Sequence, residues 1–158
     1  MKYRVIPFAV LFLAISLSVG DARLVQLWNY SDLAEKSTLI VIATFEKSSD
    51  TEDEREFGGS KAIGIDSTFK VLSVLKGKVE NEKVTVRHYK YDKSETVKIN
   101  GCRFISFPEN DETAYLIFLK EDEGKNIVPV TGQNDPVGSF KIISNAKESI
   151  GISSHKYE

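Results

Sequence analysis

Past its first twenty residues the chain alternates short apolar stretches with polar turns, at a spacing that belongs to strands. The clearest stretch is Ile63, Ile65, Ser67, Phe69 and Val71, which alternate with Gly64, Asp66, Thr68 and Lys70. A period of two sustained this long predicts a strand with one face in the core. The apolar phase then slips at Leu72, Val74 and Leu75, which predicts a bulge or a bend into a second sheet direction. Lys76, Gly77 and Lys78 form the next turn, after which Val84, Val86 and His88 alternate with Thr85, Arg87 and Tyr89 in another strand. Residues 38–45 are almost unbroken Leu, Ile, Val and Ala, the reading of a strand buried on both faces.

Apolar segments at 96–99, 103–107 and 113–119 continue the series. Residues 121–126, with Gly124, predict a hairpin connection to a strand at 127–130. A turn at 132–136, a last strand at 137–143 and a polar tail from Ser144 follow. One helix is predicted, over 29–37, with Asn29 or Ser31 as cap, Asp32 in the first turn and Lys36 near the end. Two turns are marginal alone, so packing must hold it. Residues 48–60 break the pattern: Asp50, Glu52, Asp53, Glu54 and Glu56 crowd before Gly58 and Gly59, predicting a solvated loop or a ragged strand end. The fixed ligand spacing of a calcium-binding EF-hand is absent there.

Many short strands with regular turns and one short helix define an all-β chain. The expected fold is a small OB-like barrel of about five to eight strands. A long strand whose phase changes midway lets such a sheet curl and hide its edges.

The start of the chain is of another kind. Lys2 and Arg4 precede an apolar run from Val5 to Val19 that closes on small residues, the pattern of a secretory signal peptide over residues 1–20. A membrane-spanning helix needs about 20 apolar residues; this run is shorter, contains Pro7, and carries Ser16 and Ser18. Cleavage after Gly20 or Ala22 leaves one domain over 21–143, with a tail over 144–158 and no stable membrane span. The expected location is extracytoplasmic, secreted or periplasmic. Loss of the leader leaves 19 basic against 23 acidic residues, a net charge of −4. That balance disfavours nucleic acid and anionic lipid. Cys102 is the only cysteine, so stability comes from packing and not from internal disulfides; its apolar surroundings at Phe104 to Phe107 favour burial.

No catalytic set is legible. Gly58, Gly59, Ser60 and Lys61 lack the spacing of a nucleophile elbow, and neither a phosphate-binding loop nor a dinucleotide fingerprint is present, so no cofactor is expected. His88, His155 and Cys102 would reach a zinc set only if the tail crossed the fold, and no metal ligand is assigned. The richest surface is the hairpin with Arg87, His88, Tyr89 and Tyr91 among Lys76, Lys78, Lys83, Lys90 and Lys93. Basic groups interleaved with aromatics are what a barrel uses to track a phosphate backbone and stack bases; in an acidic, exported chain the same residues suit contact with a protein or an anionic glycan instead, and lysines equally keep an exposed edge apart from other edges. Gln133, Asn134 and Asp135 form a polar turn between apolar strands, which turn chemistry explains and which also suits a recognition loop. The expected function is an exported, non-catalytic binding module. The alternatives are a hydrolase with an unrecognised carboxylate pair and a structural envelope or matrix component.

The order Ser31 to Lys36, then Ser37 to Ala43, then Thr68 to Gly77 with its valine-rich run into Leu75, Lys76 and Gly77, then Ala114 to Leu119, resembles small exported domains related to the tissue inhibitors of metalloproteinases. The resemblance covers about half of the mature chain and implies a netrin-like OB barrel. Inhibitors of that family chelate the protease zinc through an N-terminal cysteine and are braced by disulfides. Here the expected N-terminus is Asp21 or Arg23, so no inhibitory residue carries over.

Overall fold

The computed structural model describes residues 26–95, 101–109 and 112–144. The leader expected over 1–20 with its cleavage site, the segment 96–99, and the tail beyond Ser144 with His155 lie outside the described residues. Within them the chain forms one helix, α1 (Tyr30–Lys36), and six strands in one antiparallel sheet: β1 (Leu39–Phe57), β2 (Ser60–Lys76), β3 (Lys83–Tyr91), β4 (Ala114–Glu121), β5 (Ile127–Pro129) and β6 (Phe140–Ser144). The all-β reading with a single short helix holds. No described helix is long and apolar enough to cross a membrane.

The strand order is β3-β2-β1-β4-β5, with β6 paired to β4. β1 takes one edge of β4, while β6 and β5 take successive stretches of the other. No ladder joins β3 to β5 among the described residues, so the sheet is not closed by hydrogen bonds. The two nevertheless pack against each other, which requires the sheet to curl. The curl has its source in the phase slip. Ala43 pairs with Val71 but Ile42 with Ser73, and Val41 pairs with Val74 but Ile40 with Lys76, so Leu72 and Leu75 are extra residues in bulges. Gly77 then turns the chain at φ +85°, where a Cβ would lie 2.6 Å from the Thr38 carbonyl oxygen.

The first half of β1 is buried on both faces, as its apolar run predicts. Val41, Ala43 and Phe45 join the main core with Phe69, Val86, Ile117 and Phe140, while Ile40 faces the other way onto Leu33 of α1, Phe118 and Val130. The Asn29 side chain caps α1 by accepting from the Asp32 N–H at 2.8 Å.

One expectation left open is decided and two are corrected. The acidic stretch 48–60, expected as a solvated loop or a ragged strand end, is strand: residues 48–57 are the distal half of β1, paired back onto β2 through a hairpin at Gly58 and Gly59, both in left-handed conformation. This ribbon is largely solvated on its outer side, so its side chains show no alternation while its backbone still pairs. The segment 103–107 is irregular and not a strand. Phe107 fills the interior of the curl, with ring centroids 4.9 Å from Phe69, 5.2 Å from Phe45 and 5.2 Å from Phe140. Hydrophobicity there reports burial without pairing. The last strand also starts later than expected, at Phe140, because Pro136–Ser139 forms a 3-10 turn.

Candidate functional site

The structure gathers the hairpin residues around one bulge. Asp50 pairs with Ile65 and Glu54 with Ile63, so β1 bulges outward between them, directly over Gly64. A Cβ at Gly64 would lie 2.5 Å from Thr51 Oγ1 and 3.1 Å from the Asp53 carbonyl oxygen. The missing side chain therefore lets β1 cross close to β2 and deliver Asp53 to β3. Tyr89, the partner of Gly64 in the ladder, donates its hydroxyl to the Asp53 carboxylate. The ring of Phe57 packs edge-on to Tyr89 at 5.1 Å, and Arg55 lies over its face at 5.2 Å.

Arg87 completes this cluster. It forms a two-pronged ion pair with Asp66, with Nη2 2.9 Å from Oδ2, and its Nη1 lies 3.9 Å from Asp53. The hydrogen bond to Asp66 holds the guanidinium still more firmly protonated. The Tyr89 hydrogen bond, against a smaller opposing effect of burial, holds the Asp53 carboxyl below its usual range. Burial, followed by the bond to Asp53, pushes ionisation of the Tyr89 hydroxyl above its usual range.

His88 points the opposite way, into the core. It is 1% exposed, with Nε2 2.7 Å from the buried Ser67 hydroxyl and its ring against Phe107. Burial lowers its pKa to about 4, which keeps the imidazole neutral at physiological pH. Tyr91 packs on Phe104 and donates its hydroxyl to the Cys102 carbonyl at 2.8 Å. Of the four hairpin residues expected to contact a partner, His88 and Tyr89 are interior, while Arg87 and Tyr91 are partly exposed and already bonded.

The turn Gln133, Asn134 and Asp135 comes to the same side. Gln133 Nε2 donates to the Arg87 carbonyl at 2.9 Å, and the Asn134 carbonyl accepts from the Arg103 N–H at 3.0 Å. The Asp135 carbonyl accepts from Thr131 Oγ1 at 2.8 Å. The turn thus ties the last third of the chain to β3 across the open seam of the sheet. Along that seam lies a polar cavity of about 200 Å³ between Arg87, Asp66 and Thr85 on one side and Lys125 and Asn126 on the other. Cys102 is half-buried, its Sγ 3.8 Å from Asn134 Oδ1.

Replacing Gly64 with valine is expected to lift the bulge, break the Tyr89 to Asp53 bond and cost about 1–3 kcal/mol. Urea denaturation of the variant beside the parent chain measures this.

A different kind of surface lies at the far end of β2. The β2–β3 ladder stops at Lys70 and Lys83, whereas β2 runs on to Lys76. Past Lys70, Leu72, Val74 and Leu75 are 56%, 42% and 58% exposed. Beside them is a groove of about 400 Å³ whose floor is Val71 and Val79. In the sequence this surface shows only as the slip of the apolar phase at Leu72, Val74 and Leu75. The outward-facing leucines at the bulges were its signal.

Fold and surfaces together define a small, curled antiparallel-sheet domain with a cluster of mutually paired ionisable groups at one end and, at the other, an apolar strand edge that no described strand covers. No protein-family model, curated protein or solved structure matches this chain.

Proposed function

We propose that the chain is an exported, non-catalytic binding domain for a protein or glycan partner, and that the open edge of β2 is its principal contact surface. The observation that carries this reading is the exposure of Leu72, Val74 and Leu75 along a strand edge beside an apolar-floored groove. Large apolar side chains held in water by bulges are costly to keep exposed unless a partner covers them. Export rests on the leader pattern of residues 1–20. The curled sheet with β3 against β5 fits the netrin-like OB likeness, which supports binding without protease inhibition because no cysteine stands near residue 21. Arg87 and Tyr91, with the turn at Gln133, Asn134 and Asp135, form a second, polar surface at the seam.

The hydrolase alternative draws little from the same geometry. Asp53 and Asp66, which converge among the described residues, both face Arg87, and Asp53 is held below the range a general acid needs.

The test is photo-cross-linking in the cells that produce the chain, with a photoreactive residue at Ser73, at Lys90 or at Asn134. Adducts to a distinct partner are expected from position 73. Adducts only from positions 90 or 134 would move the contact surface to the hairpin or the turn, and adducts from none would overturn the binding-domain reading.

A further inference from the structure

β2 beyond Lys70 has a ladder to β1 on one side and no strand on the other among the described residues. On that open side the Val71 N–H is taken by the Glu82 carbonyl at 2.8 Å, and past it no described strand pairs with the edge from Leu72 to Lys76. Val71 and Val79, the floor of the adjoining groove, both pack on the main core, so the floor is anchored; Glu82 closes the inner end. Lysines and bulges alone are enough to guard an edge against stray pairing. The three large apolar side chains standing among them serve no such purpose.

Charge decides between occupants. Lys76 is engaged by the Ala34 carbonyl at 2.7 Å and Lys83 by Glu46 at 2.8 Å. Lys70, at the inner end of the apolar stretch, and Lys78, just past the Gly77 turn that ends it, form no ion pair among the described residues. A second copy pairing antiparallel over residues 70–76, about Ser73, would set Lys70 opposite Lys76 at both ends, and a parallel copy would set each lysine beside itself; like charges directly opposite are destabilising.

We infer that this edge takes an extended segment of another polypeptide as an added strand, with alternate apolar side chains seated along Leu72, Val74 and the groove, and acidic residues at its ends facing Lys70 and Lys78. The inference rests on the binding-domain reading and gives it a partner class.

The probe is a phage-displayed library of random twelve-residue peptides, selected against the full chain. Enriched peptides are synthesised and titrated by fluorescence anisotropy beside scrambled versions and a peptide copying residues 145–158. Alternating apolar positions flanked by Asp or Glu are expected. Binding is expected to weaken at least tenfold with Leu72→Asp or Leu75→Asp, both at exposed positions, and with Lys70→Glu combined with Lys78→Glu. N-methylation of alternate peptide amides is expected to abolish it; this readout lies in the ligand and does not depend on a variant folding. Failure to enrich, helix-patterned peptides, or indifference to N-methylation would overturn strand addition. So would tighter binding of the 145–158 peptide, which makes the edge an internal docking strip, or a sedimenting dimer dissolved by Leu72→Asp, which makes it a self-association edge. If peptides fail while cross-links from Ser73 persist, strand addition falls and the binding domain stands; if those cross-links fail too, both fall.

Discussion

Replacing Phe69 with alanine is expected to cost about 3–5 kcal/mol, more than any other single truncation among the described residues. Phe69 is fully buried at the middle of β2, and its ring meets four others: Phe107 at 4.9 Å, Phe45 at 5.7 Å, Phe140 at 6.0 Å and Tyr115 at 6.5 Å. Those rings come from β1, β4, β6 and the irregular segment before β4. One side chain therefore joins most of the curl, and the space left by its loss cannot be refilled from a single element. A small domain has roughly 5–15 kcal/mol of net stability, so the variant sits close to unfolding at ambient temperature. Urea denaturation followed by circular dichroism measures the loss. Phe69→Leu, which keeps most of the volume, is expected to recover the larger part; equal losses for the two variants would mean that the aromatic cluster is not the organising core.

The second large effect is acid destabilisation through His88. In the unfolded chain an imidazole titrates near 6.5, and in the folded protein burial lowers His88 to about 4. Above the higher value both states are neutral and the group contributes nothing. As pH falls from 6.5 towards 4, the unfolded chain takes up a proton that the folded protein refuses, so stability declines throughout that window. The difference corresponds to about 3 kcal/mol at its limit. Below about 4 the folded protein also binds the proton and the decline from this group ends. Carboxylates such as Asp53, whose folded value is lowered, lose their stabilisation only at still lower pH. Denaturation midpoints measured from pH 7 to pH 4 should therefore fall in the parent chain. His88→Gln, which retains a polar group for Ser67, should flatten that part of the profile. An unchanged profile in the variant would assign the acid sensitivity to other groups.

The sheet was legible in the chain wherever one face of a strand is buried and the other wet. The alternation from Ile63 to Val71 became the core half of β2, and the slip at Leu72 and Leu75 became two bulges in which these leucines are the extra residues and face outward. The distal half of β1 was legible only as a choice between a loop and a ragged strand end: a ribbon solvated on its outer side has no apolar alternation, and its acidic side chains do not announce that the backbone pairs. The segment at Phe107 misled in the opposite sense, since burial without pairing looks like a short strand. The hairpin residues show why a site is harder to read than a fold. Tyr89 stands on the outward parity of β3 and reads as exposed, yet the bulge of β1 reaches across β2 to cover it. That covering is a long-range event, and its only local sign was Gly64 inside an otherwise regular strand, where a glycine marks close backbone approach.

The central claim is that the β2 edge from Leu72 to Lys76 is open in the free protein and covered by the partner. Site-resolved amide hydrogen exchange addresses it directly. In the free chain, amides on the open side of this stretch should exchange freely, while those of Val41 to Thr44, enclosed between β2 and β4, are protected. Addition of the partner or of a selected peptide should slow exchange at residues 72–76 by at least tenfold and leave Arg87 to Tyr91 unchanged. Protection that instead appears at Arg87 to Tyr91 or at Gln133 to Asp135, with residues 72–76 still exchanging freely, would contradict the account.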